Sequence, residues 1–366
     1  MPHLPAIKPL RRPRVGLYST GLRAYWDQFP GLRERLIAYG QFIERRISAW
    51  ADVSNAGLVD TEGAGRRAGE WLQAQNVDLV FCHAATYATS SIVLPVHQLC
   101  VAPAIFLNLQ PAARINYAQS TTGEWLAHCN ACAVPEFSNA LARAGIPFRM
   151  VSGLLGLEET PAISMADEVT AARPEAQRAW REIEAWVRAA AAKRTLQHAR
   201  FGFLGNTYGG MLDMYSDFTM IQAQTGLHVE ILEMSDLARL MDDVSAAEVR
   251  DKRSEVEAMF DISGDSPSDP IARRPTEQQM QWSCRVAAAQ ERLVRAFDLD
   301  ALCYYYHGAP GQQDEQIQAG FIVGHSLLTA HGIPCAGEGD LKTAVAMKIC
   351  DILGVGGSYS EIVVID

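Results

Sequence analysis

The chain has no apolar run approaching the ~18 residues that a membrane-spanning helix needs. Its opening, MPHLPAIKPLRRP, also lacks the apolar core of a secretory signal. A cytoplasmic location is therefore expected, with no membrane partner. There is no Lys/Arg stripe, and the formal charge of −10 with a pI near 5.4 disfavours polyanions, so nucleic acid is not an expected partner. The one basic cluster, RRPR at 11–14, follows a Pro-rich leader and reads as the end of a solvated tail over residues 1–13. Cysteine is too sparse for a disulfide scaffold. Of the eight, Cys82, Cys100, Cys303, Cys335 and Cys350 lie inside apolar runs, where a thiol packs as a small hydrophobe. GxGxxG, GxxxxGK[ST], a Ser or Cys nucleophile elbow and any fixed-period repeat are all missing. These absences leave a nicotinamide enzyme as the weakest of the readings considered.

What is present is length and alternation. With 366 residues and 48% hydrophobic content, the chain can bury more than one core. VGLYST, VSNAGLVD, VDLVFCHA and APAIFLNLQ read as strands, separated by amphipathic stretches at 31–50, 64–75 and 90–99. This alternation predicts an α/β domain with a parallel sheet over 14–153. The stretch 154–175 loses periodicity, and the alternation then restarts. A helix is expected at 175–195, a strand at 199–205, a helix at 211–224, a strand at 228–234 and, beyond a polar insert at 263–275, a helix at 276–298. The strand ALCYYYH, a helix at 315–331, the short strand IPCAG, an acidic helix start and a terminal strand GGSYSEIVVID follow. The expected fold is thus α/β, with two consecutive Rossmann-like, doubly wound parallel-sheet domains, the second spanning 154–355.

Open parallel sheets bind ligands beyond the carboxyl ends of their strands. Those ends are polar here: Ser19-Thr20-Gly21, His83, Asn108-Leu109-Gln110, Gly205-Asn206-Thr207, Tyr306-His307 and Gly337-Glu338. Glu338, in AGEGDLKTA, and Glu361, in the terminal strand, are the two carboxylates to explain. Together they could hold one hard divalent cation and move protons on a substrate bound to it. The competing reading gives Glu338 and Asp340 to the dipole of the following helix, with Lys342 one turn on as partner of Glu338. Tyr25 and Trp26 lie in an unusually aromatic first loop, where they could stack on a sugar ring or form a lid. The loop GNTYGGMLD at 205–213 places Tyr208, Met211 and Asp213 near a switch point, although its glycines are what any strand-to-helix turn selects. HCNAC at 128–132 contains a CxxC with no second pair, and its setting predicts two cysteines packing on one helix face, with no ligand-spaced partner for His128.

Several segments together resemble the L-arabinose and L-fucose isomerase superfamily: GLYSTGLRAYWDQFPGLRERL, NLQPAA at 108–113, TGEWLAHCNACAVPE at 122–136, YGGMLDMYSDFT at 208–219, YYYHGAPG at 304–311 and AGEGDLKTAVAMKICDILGVGGSYSE at 336–361. The resemblance implies that Glu338 and Glu361 are both ligands of a manganese (or other divalent) ion and the acid/base pair of an aldose–ketose isomerisation through an enediolate. It suggests Tyr25, Trp26, Asn108, Gln110, Tyr208 and Met211 as substrate-binding residues, and a homo-oligomer, trimer or hexamer, with a sugar as substrate. It also implies a C-terminal β-rich domain carrying histidine ligands, of which residues 356–366 would be only the start, so impaired activity is expected of this length. The alternative is a non-catalytic sugar-binding or regulatory protein on the same fold.

Overall fold

A computed structural model describes residues 8, 10–161, 164 and 166–360. The chain divides into two compact units, residues 11–194 and residues 195–366 with the first ten.

In the first unit, β1 (Arg14–Thr20), α1 (Leu32–Ile47), β2 (Asp52–Val59), α2 (Glu62–Ala74), β3 (Leu79–His83), α3 (Ser90–Leu99) and β4 (Ala104–Gln110) alternate as the sequence pattern requires. They are followed by α4 (Thr122–Leu126), α5 (Asn130–Arg143), β5 (Phe148–Leu154) and α6 (Pro174–Leu196). The sheet is parallel throughout, in the order β2-β1-β3-β4-β5. Its central strands are nearly continuous apolar runs because both faces are covered. Alternate residues point to opposite sides: Val15, Leu17, Phe81 and Leu107 pack with α1 and α6, while Tyr18, Val80, Cys82 and Phe106 pack with α2, α3 and α5. The α2–α3 pair is held close by Gly65, where a Cβ would fall 2.2 Å from the Ile92 carbonyl oxygen.

This unit runs past the expected boundary at 153/154. The apolar face of α6 (Ala179, Trp180, Ile183, Val187) completes the first core, and Arg194 pairs with Asp78 at 3.3 Å. Around the CxxC the chain departs from a single helix: α4 ends at Leu126 and α5 begins at Asn130, with Cys129 as its N-cap and Pro135 inside it.

The second unit has β6 (Arg200–Gly205), α7 (Phe218–Thr225), β7 (His228–Leu232), α8 (Met234–Asp242), α9 (Ala246–Met259) and α10 (Glu277–Ala296). It continues with β8 (Ala301–Tyr305), α11 (Gln313–Ala319), α12 (Phe321–Ala330), β9 (Cys335–Ala336) and α13 (Leu341–Ile352). Its parallel sheet has the order β7-β6-β8-β9. Lys8, expected in a solvated tail, pairs with Asp298 at 3.0 Å and Asp300 at 3.1 Å. The helix expected at 211–224 is a short turn at Leu212–Met214 and then α7, because Asp217 caps the latter by accepting from the Met220 amide at 3.0 Å. Gly320 likewise divides the expected 315–331 helix into α11 and α12. Residues 355–360 form no strand, and the rest of the expected terminal strand lies outside the described residues. No described helix is long and apolar enough to cross a membrane.

Candidate functional site

Each sheet reverses its strand order beside its first strand, and a doubly wound sheet offers its ligand crevice there, outside the carboxyl ends. In the first unit this point lies between β1 and β3. Ser19 Oγ and His83 Nδ1 meet at 3.0 Å, Thr20 donates to the Thr86 carbonyl at 3.2 Å, and Thr86 donates to the Leu126 carbonyl at 2.6 Å. Burial pushes the His83 pKa down to about 3, so its imidazole is neutral near pH 7 and serves as a hydrogen-bonding group.

The sequence-predicted residues of this unit fall around that edge. Burial, then the neighbouring Cys129 and Tyr87, raise the Tyr25 hydroxyl above its usual pKa, which places these groups together. Asn108 and Gln110 lie two apart on β4, so they share a face. Asn108 donates to Ser152 at 3.3 Å and accepts from Asn130 at 3.2 Å. The Trp26 indole donates to Asp60 at 2.7 Å, and its ring lies on Gly21, where a Cβ would meet it at 2.9 Å.

In the second unit, Tyr208, Met211 and Glu338 gather by main-chain bonds. The Tyr208 amide donates to the Glu338 carbonyl at 3.0 Å, and the Met211 amide donates to the Tyr208 carbonyl at 3.4 Å. The Tyr208 ring packs on Tyr305 with centroids 4.8 Å apart. Glu338 does not sit in the first turn of the helix. Asp340 is the N-cap of α13, accepting from the Thr343 amide at 3.0 Å, so the dipole role belongs to Asp340 alone. Lys342 is not the partner of Glu338 either, since its ammonium bonds the Asp213 carbonyl and, at 3.1 Å, that of Tyr215.

Glu338 instead occupies left-handed backbone, φ 58°, next to Gly339 at φ 72°. A Cβ on Gly339 would stand 2.6 Å from the Asn206 carbonyl oxygen, so only glycine lets the turn lie against β6's exit loop. The Glu338 carboxylate accepts from Tyr359 at 3.2 Å and faces a cavity of about 600 Å³ that is also lined by Tyr304, Tyr305, His325 and Ser358. Among the described residues it has no ion-pair partner. Among the described residues, Nε2 of buried His325 has no hydrogen-bond partner, and burial lowers this imidazole's pKa to about 3, keeping it neutral and able to donate a lone pair. A free carboxylate oxygen and a neutral imidazole are donors that a divalent cation accepts. Glu361, the second expected ligand, lies outside the described residues.

A buried polar cluster in the first unit has no counterpart in the sequence pattern. Arg35 donates to Glu124 at 2.6 and 3.2 Å, to Ser164 at 2.9 Å, to Tyr39 at 2.6 Å and to Glu168. Tyr39 donates to Glu168 at 2.7 Å. Both carboxylates and the guanidinium are no more than 3% exposed. Burial alone would depress the Arg35 pKa, but the bond to Glu124 and the charge of Glu168 outweigh it and hold the guanidinium firmly protonated.

His128, expected to have no ligand-spaced partner nearby, donates from Nδ1 to the Glu124 carbonyl at 2.9 Å and brings Nε2 to 4.0 Å from Glu168. Glu124, His128 and Glu168 have ligand atoms within 4.8 Å of one another and a donor set able to hold a metal ion. Arg35 already supplies a cation to both carboxylates. The approach of Glu168 to His128 across 40 residues of chain, 168 minus 128, leaves no local spacing to read.

A cavity of about 1140 Å³ is lined by the insert and by α9 and α10, with Arg250, Arg253, Arg273, Arg274 and Arg285, rather than by strand ends.

No family model matches the chain. Over 176 residues, 48% of this chain and 34% of the relative, it is 23% identical to L-arabinose isomerase of Vibrio parahaemolyticus. Over 179 residues, 49% of this chain and 34% of the relative, it is 24% identical to L-arabinose isomerase of Yersinia enterocolitica. The chain thus spans about a third of the length of the curated relatives it matches. Among solved structures, it is similar to a periplasmic solute-binding protein of Actinobacillus succinogenes with bound D-allose, at 10% identity and TM-score 0.23, covering 96% of each chain. A solute-binding protein of Agrobacterium vitis with bound allitol is also 10% identical, at TM-score 0.20, covering 90% of this chain and 76% of that one.

Proposed function

We propose that this chain is a metal-dependent aldose–ketose isomerase, an intramolecular oxidoreductase that acts on a small sugar through an enediolate. The partial identity to two L-arabinose isomerases supports the reaction class. The single observation that carries the reading in the structure is Glu338, a carboxylate with no ion-pair partner among the described residues, held by left-handed backbone over a cavity at the carboxyl edge of a parallel sheet. Glu338 and Glu361 would hold manganese, or another divalent cation, which when bound polarises the carbonyl and adjacent hydroxyl of the sugar.

Glu338 would take or return the proton at the reacting carbons, with Tyr359 orienting its carboxylate through the 3.2 Å bond. Glu361 is proposed as the second proton carrier. Tyr208 and Met211 would line the sugar on this side; Tyr25, Trp26, Asn108 and Gln110 are proposed as further substrate contacts. A cytoplasmic homo-oligomer, trimer or hexamer, completes the proposal.

The test is conversion of a pentose and a 6-deoxyhexose aldose to their ketoses with and without manganese, alongside manganese titration by electron paramagnetic resonance. Glu338→Gln should reduce turnover by roughly 10²–10⁴-fold, as loss of an acid/base group does, and should weaken manganese binding, leaving more of the free-ion signal. Unchanged conversion in Glu338→Gln, or conversion indifferent to the metal, would overturn the reading. Sugar binding with no conversion in either protein would replace it with the non-catalytic alternative.

A further inference from the structure

The two cysteines of HCNAC were expected to pack on one helix face, and the structure separates them instead. Cys129 is the N-cap of α5, with φ −89° and ψ 38°, outside the helical region. Cys132 stands in the first turn. This arrangement rotates the Cys129 side chain onto that of Cys132, and the two sulfurs touch at 2.7 Å, inside ordinary sulfur contact. Cys129 is buried and Cys132 is exposed, and both thiols are free. Cys132 also donates to the Cys129 carbonyl at 3.3 Å. A metal reading fails for want of donors. His128, the adjacent imidazole, engages the Glu124 carbonyl through Nδ1 and turns Nε2 towards Glu168.

We propose that Cys129 and Cys132 are a redox-active pair that closes reversibly to a disulfide by exchange with a low-molecular-weight disulfide. Cys132, the thiol solvent can reach, attacks one sulfur of the small disulfide as its thiolate. It forms a mixed disulfide and releases one small thiolate. Cys129, already in contact, then attacks the Cys132 sulfur, forms the internal S–S bond and expels the second small thiolate, with its own proton passing to that leaving group. The small disulfide is reduced to two thiols as the protein pair is oxidised, so atoms and electrons balance. Burial, and then the bond from Cys132, push the Cys129 thiol pKa up to about 12. Cys129 is therefore inert until the mixed disulfide is placed beside it, which fixes the order of attack.

The location gives closure a consequence. Asn130, between the two cysteines, holds Asn108 at the end of β4 through a 3.2 Å bond. The Tyr87 backbone N–H, in the loop after β3, lies near Cys129 and offsets part of the rise in its pKa. Oxidation would therefore stiffen the loop that borders the first unit's strand-end crevice. A transient, exchange-driven bridge of this kind is also the form that disulfides take in reducing compartments.

The experiment equilibrates the full chain in glutathione/glutathione-disulfide mixtures from fully reducing to fully oxidising, traps thiols with an alkylating reagent under denaturing conditions and maps the peptides by mass spectrometry. At the oxidising end, the peptide containing Cys129 and Cys132 should lose two hydrogens and resist alkylation, and dithiothreitol should restore both thiols. In Cys129→Ser, Cys132 should stop at the glutathione mixed disulfide. Full alkylation of both cysteines in every mixture would overturn the proposal. So would accumulation of glutathionylated Cys132 in the unmodified chain, because Cys129 would then have failed to resolve it.

Discussion

Replacing Arg35 by Met removes the one guanidinium that serves both Glu124 and Glu168 while keeping most of its apolar stem. In the intact protein, Glu124 receives two bonds, at 2.6 and 3.2 Å, and Glu168 a further one, all from a side chain 3% exposed. Without Arg35, two buried carboxylates lose the positive charge they share, while the hydroxyls of Tyr39 and Ser164 still donate to Glu168. Removing one partner of a buried pair costs about 3–5 kcal/mol. For a urea m-value of roughly 2–3 kcal/mol/M, the midpoint should fall by about 1–2.5 M.

Tryptophan fluorescence suits the measurement. Trp26, Trp50, Trp71, Trp125, Trp180 and Trp186 belong to the unit that contains Arg35, and only Trp282 lies outside it. Arg35→Lys should fall between the two proteins, because an ammonium restores charge without the bidentate fork. A midpoint for Arg35→Met within about 1 kcal/mol of the parent would refute the reasoning and show that water reaches the carboxylates.

Buried His97, bonded to Tyr18 at 2.9 Å, has its pKa lowered by burial to about 4 from 6.5, a difference of about 2.5 units and on the order of 3 kcal/mol. The folded state binds this proton less readily than the unfolded chain. The stabilisation is therefore complete above about pH 6.5 and is lost as pH falls towards 4, and His97→Gln should flatten that part of a stability-versus-pH curve measured by urea titration. Gly65→Ala should destabilise by about 1–3 kcal/mol despite alanine's better helix propensity, because its Cβ would meet the Ile92 carbonyl oxygen at 2.2 Å; a raised melting temperature would contradict the α2–α3 packing described above.

The strands that form both sheets were legible because a parallel sheet covered on two faces leaves unbroken apolar runs such as LVFCH, which is buried throughout. The polar strand ends were legible for the same reason, since they are where those runs stop. The helix starts were less so. α13 begins at Leu341 because Asp340 caps it, and the sequence offered Glu338 and Asp340 as equally acidic choices. Backbone handedness decided between them, and nothing in the composition of AGEGD signals it. The Arg35 cluster was invisible because it joins α1, α4 and a segment beyond β5, and patterns of local period carry no information on such distant pairings. The first unit's extent was misjudged because α6 follows an aperiodic stretch, yet its Trp180 packs under α1.

The left-handed turn at Glu338 bears on how this protein would evolve in the laboratory. A side-chain-bearing residue at φ 58° carries about 1 kcal/mol or more of conformational cost, which Asn or Gly would relieve. Random variants selected only for heat resistance should accordingly accumulate Asn or Gly at position 338 and discard the carboxylate on which the proposed chemistry depends. Selection for sugar conversion should hold the glutamate against that drift. The two regimes would pull one codon in opposite directions, and sequencing both populations after several rounds would reveal whether the strain is being retained for work.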